Sequence, residues 1–227
     1  MQECQQCGKC CELNGPTLHI EDKYLITKGI IPPSDLITLR KGEKAFDPRE
    51  NKEIILENEI IKIKGSQSNW ECKYYHPEEK SCSIYSSRPA ECRLLKCWDP
   101  KPLLSVINKN LLTREMLFSK IEGFPELIQD HEEKCSFNKI NSLLEKFESE
   151  KNNETLNELK DSILFDINIR EILSEKQPSA QPMLQLIFGR ELTAAMEQFK
   201  YKIMYSKENG LTISPFKLDK ILDGTIS

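Results

Sequence analysis

Four cysteines, Cys4, Cys7, Cys10 and Cys11, fall within eight residues at one end of this chain. Thiols packed that densely are a chemical liability unless something holds them, because thiolates oxidise and exchange. Cys4, Cys7 and Cys10 recur at every third position, so a tight loop can turn all three sulfurs toward one centre. The same C-x2-C-x2-C run gives bacterial ferredoxins three cubane ligands, with the fourth taken from a remote cysteine. Gly8 suits backbone that wraps closely, since it carries no Cβ and turns freely. Cys10 and Cys11 are adjacent, and neighbouring side chains in extended backbone point opposite ways. One of the two is therefore expected to face another metal or the interior.

The chain has nine cysteines in all. Met1-Gln2-Glu3-Cys4 lacks the basic and apolar regions of a secretory leader. No stretch approaches the roughly 20 apolar residues of a membrane helix. A cytoplasmic location is expected, where thiols stay reduced, so the cysteines point to metal rather than disulfides. Cys72, Cys82, Cys92 and Cys135 are the remote ligand candidates, and His76 and His131 could stand in near two of them. Cys97 lies five residues past Cys92, about 140° away around a helix, and is expected to pack rather than ligate. An iron–sulfur cluster, of the 4Fe–4S kind, is the expected cofactor. Zinc is the alternative; its structural sites favour four thiolates, often as two C-x2-C knuckles, and no C-x2-C occurs among the later cysteines.

Hydrophobic residues make up 38% and charged residues 30% of 227 positions. The core is thus small for the length, and a metal staple would supplement it. Net charge is -4, with Lys and Arg interleaved among acids. No basic stripe is available to neutralise phosphates, so neither nucleic acid nor membrane is an expected partner. Glu21–Lys28 reads as a short helix stopped by Gly29, and Ser34 as the N-cap of a helical turn over Asp35–Arg40. Ile54-Ile55-Leu56 and Ile60–Lys64 read as two arms of a β-hairpin. Arg88-Pro89 opens a helix carrying Cys92, and Leu111–Ile121 reads as a short helix or strand. Beyond Cys135 helical spacing takes over, in stripes such as Leu156, Leu159, Ile163 and Ile167. The expected fold is α+β: a small irregular cysteine-rich domain with a short hairpin over residues 1–139, then a mainly helical region over 140–227.

Cys4-Gln-Gln-Cys7-Gly-Lys-Cys10-Cys11, Cys82-Ser-Ile-Tyr85 and Arg88-Pro89-Ala-Glu-Cys92-Arg93 together resemble the YkgJ-type cysteine-cluster family, the CxxCxxCC zinc- or iron-chelating domain. Cys72 matches a cysteine ahead of the second block and Cys135 a late one. The resemblance covers about residues 1–137 and implies a chelated iron–sulfur cluster or zinc, with an Fe–S oxidoreductase label. The block also resembles the cysteine-rich part of flagellin lysine methylases. No G-x-G pair occurs among the nine glycines, so the usual phosphate-cradling loop is missing. Arg88 and Arg93 are candidate cofactor-binding residues, as donors to sulfur or to a bound anion. No catalytic residue stands out. Two functions follow: a redox or accessory partner of an oxidoreductase or modifying enzyme, or a zinc-stapled, non-catalytic module that binds a protein through its C-terminal helices.

Overall fold

The computed structural model describes residues 7–47, 52–66, 70–208 and 210–215. The described residues begin with two one-turn helices, α1 (Lys9–Leu13) and α2 (Lys23–Thr27). Four strands follow, β1 (Leu36–Leu39), β2 (Lys44–Asp47), β3 (Lys52–Ile55) and β4 (Ile60–Ile63), then the very short β5 (Tyr75–His76) and β6 (Ser81–Cys82). Helices α3 (Ala90–Leu94), α4 (Lys101–Leu104) and α5 (Arg114–Phe118) lead to three long ones: α6 (Phe124–Cys135), α7 (Phe137–Glu150) and α8 (Asn153–Lys176). Short helices α9 (Leu184–Phe188) and α10 (Leu192–Ala195) precede a closing hairpin of β7 (Tyr201–Ser206) and β8 (Gly210–Pro215). The fold is therefore mixed α and β, with short hairpins in a cysteine-rich N-terminal region and a mainly helical C-terminal part.

The strands form antiparallel pairs rather than one sheet: β1 with β4, β2 with β3, β5 with β6 and β7 with β8. Here two expectations fail. The arms of the expected hairpin exist as β3 and β4 but do not pair with each other. Ile61 and Ile63 of β4 face Thr38 and Leu36 of β1, and all four are buried, so the inward faces match in register. Ile55 stands opposite Lys44 of β2 and is 60% exposed. The turn between the arms is drawn away by Glu59, whose carboxylate accepts the Arg114 backbone N–H and side-chain Nε–H, both at 2.8 Å. The second failure is the helical turn over Asp35–Arg40. A 3-10 turn covers Pro33–Asp35 and a strand follows. Leu36 and Thr38 alternate inward with period 2, and the β-branched Ile37-Thr38 pair favours that backbone. Thr38 Oγ1 then donates to the Leu186 carbonyl at 2.6 Å, tying β1 to α9.

Two apolar cores result among the described residues. The first joins Leu18, Leu25, Leu36 and Ile61 with Ile169, Ile187 and Phe188, so it draws from both sides of residue 140. The second packs Phe137, Ile140 and Leu144 of α7 on Leu159 and Ile163 of α8 and on Met196. Buried charges touch both cores. Arg40 has no exposed surface, stacks its guanidinium 4.5 Å from the Phe137 ring centre and donates to the Cys135 carbonyl. Arg170 lies over Phe188, and the His131 ring packs 4.7 Å from the same ring. Asp166, wholly buried, accepts from His131 Nε2 at 2.7 Å, Arg170 Nε at 2.9 Å and Leu192 N at 2.8 Å.

Burial pushes His131 below its ordinary pKa, with Arg40 and Arg170 adding to that shift and Asp166 opposing it. The folded ring is then neutral where an unfolded histidine, titrating near pH 6.5, takes up a proton. The unfolded state binds more protons, so this group's contribution to stability falls as pH drops through about 6.5 toward the lower folded value. His19 works the other way, since Glu91 raises its pKa. Denaturant midpoints at pH 7.5 and 5.5 should therefore fall less in His131→Gln than in wild type. Equal pH slopes would show that His131 is not the titrating group.

Candidate metal centre

The cysteine site is built from short segments that the fold presses together. Gly8 is left-handed at φ +83° and starts α1, its carbonyl accepting the Cys11 and Glu12 N–H groups at 2.7 and 3.0 Å. A Cβ at Gly8 would lie 1.9 Å from Tyr75 Oη, so only glycine lets this loop rest on β5. Tyr75 pairs directly with Cys82 of β6. The Cys72 N–H donates to the Cys11 carbonyl at 2.7 Å, which joins the two cysteine motifs backbone to backbone. Pro89 sets the start of α3, which carries Cys92.

Cys10, Cys72 and Cys92 act on the charge of Cys11, and Cys10 and Cys82 act on that of Cys72 and Cys92. Cys10 and Cys11 do not point opposite ways as expected, because α1 is helical there and neighbours stand only about 100° apart. Their sulfurs are 3.9 Å apart. The Cys11 thiol holds Cys10 down to about 6, with help from Arg88, while the same contact and burial push Cys11 up. Burial and the neighbouring sulfurs also push Cys72 and Cys92 up. Thiols that resist ionising together would accept a cation readily, since one positive centre turns their mutual repulsion into shared attraction. Among the described residues no three Cys, His, Asp or Glu side chains already stand in a metal-holding arrangement, so ligation would draw the sulfurs closer.

A sequence model for CxxCxxCC, "Putative zinc- or iron-chelating domain", matches residues 3–136. The chain belongs to this family. Searches of curated proteins and of solved structures give no match to it.

The rest of the CxxCxxCC chain's expected site residues fall as follows. Cys4 lies outside the described residues. Cys7 is exposed beside Gly8, and Cys97 is exposed in the turn bridged by Lys96 and Asp99. Cys135 is buried in the second core, donates to the Ser162 carbonyl at 3.3 Å and is pushed up to about 12 by burial. Asp166 adds to that rise, while Arg40 and Arg170 oppose it. His131, one helical turn earlier, is held by Asp166, and His76 is exposed on β5. Arg88 stacks on Tyr85 at 3.7 Å and donates to its carbonyl. Arg93 donates to the Arg88 carbonyl at 2.6 Å and to Glu21 at 2.8 Å. It lines a cleft of about 470 Å³ with His19, Leu94 and Lys109 on a face of α3.

Sequence reasoning missed the polar support around α3. Glu91 accepts the Thr17 N–H at 2.8 Å and sits 3.5 Å from His19 Nε2. Lys62, an outward position in the expected hairpin, reaches Asn14 at the end of α1. Strand alternation could not place it, because its partner Asn14 lies 48 residues away in sequence.

Gly8→Ala tests the local geometry. The left-handed backbone alone should cost on the order of 1–3 kcal/mol, and Tyr75 must also move. Zinc titration of the variant should show weakened binding, with unchanged secondary structure in α7 and α8; unaltered affinity would contradict the close fit of loop and β5.

Proposed function

We propose that the chain is an iron–sulfur protein, its cluster held by thiolates from among Cys7, Cys10, Cys11, Cys72, Cys82 and Cys92, with a redox or accessory role toward an oxidoreductase or modifying enzyme. The observation that carries the metal reading is the joining of the two cysteine motifs: Cys72 N–H donates to the Cys11 carbonyl at 2.7 Å, and the Cys10 and Cys11 sulfurs stand 3.9 Å apart. Support for a cluster comes from the C-x2-C-x2-C run with remote cysteines beside it, the ligand pattern of cubane proteins. Bound there, a cluster would supply one-electron transfer; the chain's own part is to hold it, limit water around it and set its charge surroundings.

One distance favours a second reading. Thiolates about 2.3 Å from a tetrahedral zinc stand about 3.8 Å from one another, which matches the 3.9 Å between Cys10 and Cys11. On that reading a zinc ion staples the region and the helices serve as a binding surface for a protein. Anaerobic purification followed by iron, sulfide and zinc analysis separates the two. Brown protein absorbing near 400 nm with iron and sulfide in equal amounts supports the cluster. Colourless protein with stoichiometric zinc overturns it in favour of the second reading.

A further inference from the structure

Lys62 is the polar side chain of β4 between the buried Ile61 and Ile63. Its backbone is enclosed on both sides, paired with Ile37 of β1 and bridged to Thr17. The side chain is part-buried, and among the described residues its hydrogen-bond acceptor is Asn14 Oδ1 at 3.1 Å. Asn14 is the C-cap of α1, the helix that carries Cys10 and Cys11. The charges that act on the ammonium are Glu91, adjacent in sequence to Cys92, and Cys72 itself. An ammonium carries three N–H donors, and one neutral amide oxygen is meagre compensation for a desolvated cation.

We propose that Lys62 is the fixed countercharge of the cysteine centre, a positioning residue that offsets the negative charge of metal-bound thiolates. The inference rests on the reading of these cysteines as metal ligands. Four thiolates around a dication leave a net charge of about -2, and a cation anchored between α1, Cys72 and α3 stabilises that state while costing the metal-free protein desolvation. Loss of the charge therefore weakens metal binding without weakening the fold. Arg88 also acts on Cys10, but its guanidinium is stacked on Tyr85 and donates to that residue's carbonyl, so it is held by its own turn rather than by the end of α1.

The test uses the full chain, stripped of metal and titrated with Zn2+ against a chromophoric chelator. Lys62→Met and Lys62→Gln should each bind zinc about 10-fold or more weakly than wild type, the size expected for an outer-shell partner. Lys62→Arg should restore most of the affinity, and the metal-free melting temperature of Lys62→Gln should not fall. Wild-type affinity in both neutral variants, or equal losses in the Arg and Gln variants, would overturn the proposal. A wild-type chain that binds neither zinc nor iron would instead overturn the metal reading beneath it.

Discussion

Asp166→Ala should destabilise the protein by about 3–5 kcal/mol, the range for breaking a buried ion pair by removing one partner. The carboxylate is wholly buried and takes three donors on its two oxygens. Without it, Arg170 keeps, among the described residues, the Phe188, Gly189 and Arg190 carbonyls, at 3.2–3.3 Å. His131 loses its Nε2 partner, and its Nδ1 already has none among the described residues. The Leu192 N–H at the start of α10 is orphaned as well. Both cores meet at these side chains, so the loss should appear as one cooperative transition at lower denaturant. A shift below about 1 kcal/mol would mean that water substitutes for the carboxylate and that the network is not a single unit.

Chelating the metal should have a second large effect, confined at first to the cysteine segments. Saturating metal at a thousandfold above its Kd contributes about 4 kcal/mol, which is about 10 °C in melting temperature for a chain of this size. The segments it ties together are short: α1 has five residues and no buried one, β5 and β6 have two residues each, and α3 has five. Such elements bury too little surface to persist alone. Hydrogen exchange after chelation should therefore speed up in residues 7–15, 72–84 and 90–95. Helices α7 and α8, which pack on each other in the second core, should keep their protection. Unchanged melting and exchange on chelation would contradict the staple.

The cysteine site was legible where local chemistry fixes it. Gly8 and the Pro89 start of α3 are each explained by rules acting over a few residues, and they place α1 and α3, which carry Cys10, Cys11 and Cys92. Long-range pairing was not legible. The strength of β3 and β4 as strands was plain from their isoleucines, yet their partners depend on Glu59 turning toward Arg114, some 55 residues away in sequence. The buried arginines were equally hidden, since composition suggests that such residues lie on the surface. The closing β7–β8 hairpin was missed even though Asn209-Gly210 between alternating apolar residues is a strong hairpin signal. The helical spacing of Phe188, Leu192, Ala195, Met196 and Phe199 does not make one helix: Phe188 closes α9, Gly189 turns at φ +75°, and Met196–Phe199 is 3-10.

Cysteine alkylation read by mass spectrometry, with and without chelator, tests most directly which cysteines form the centre. Cys10, Cys11, Cys72, Cys82 and Cys92 should be protected in the metal-loaded chain and become reactive once the metal is removed. Cys97 should react in both states, and Cys135, hydrogen-bonded in the second core, in neither. Metal-dependent protection of Cys97 or Cys135, with Cys72 and Cys92 indifferent to the chelator, would contradict the site.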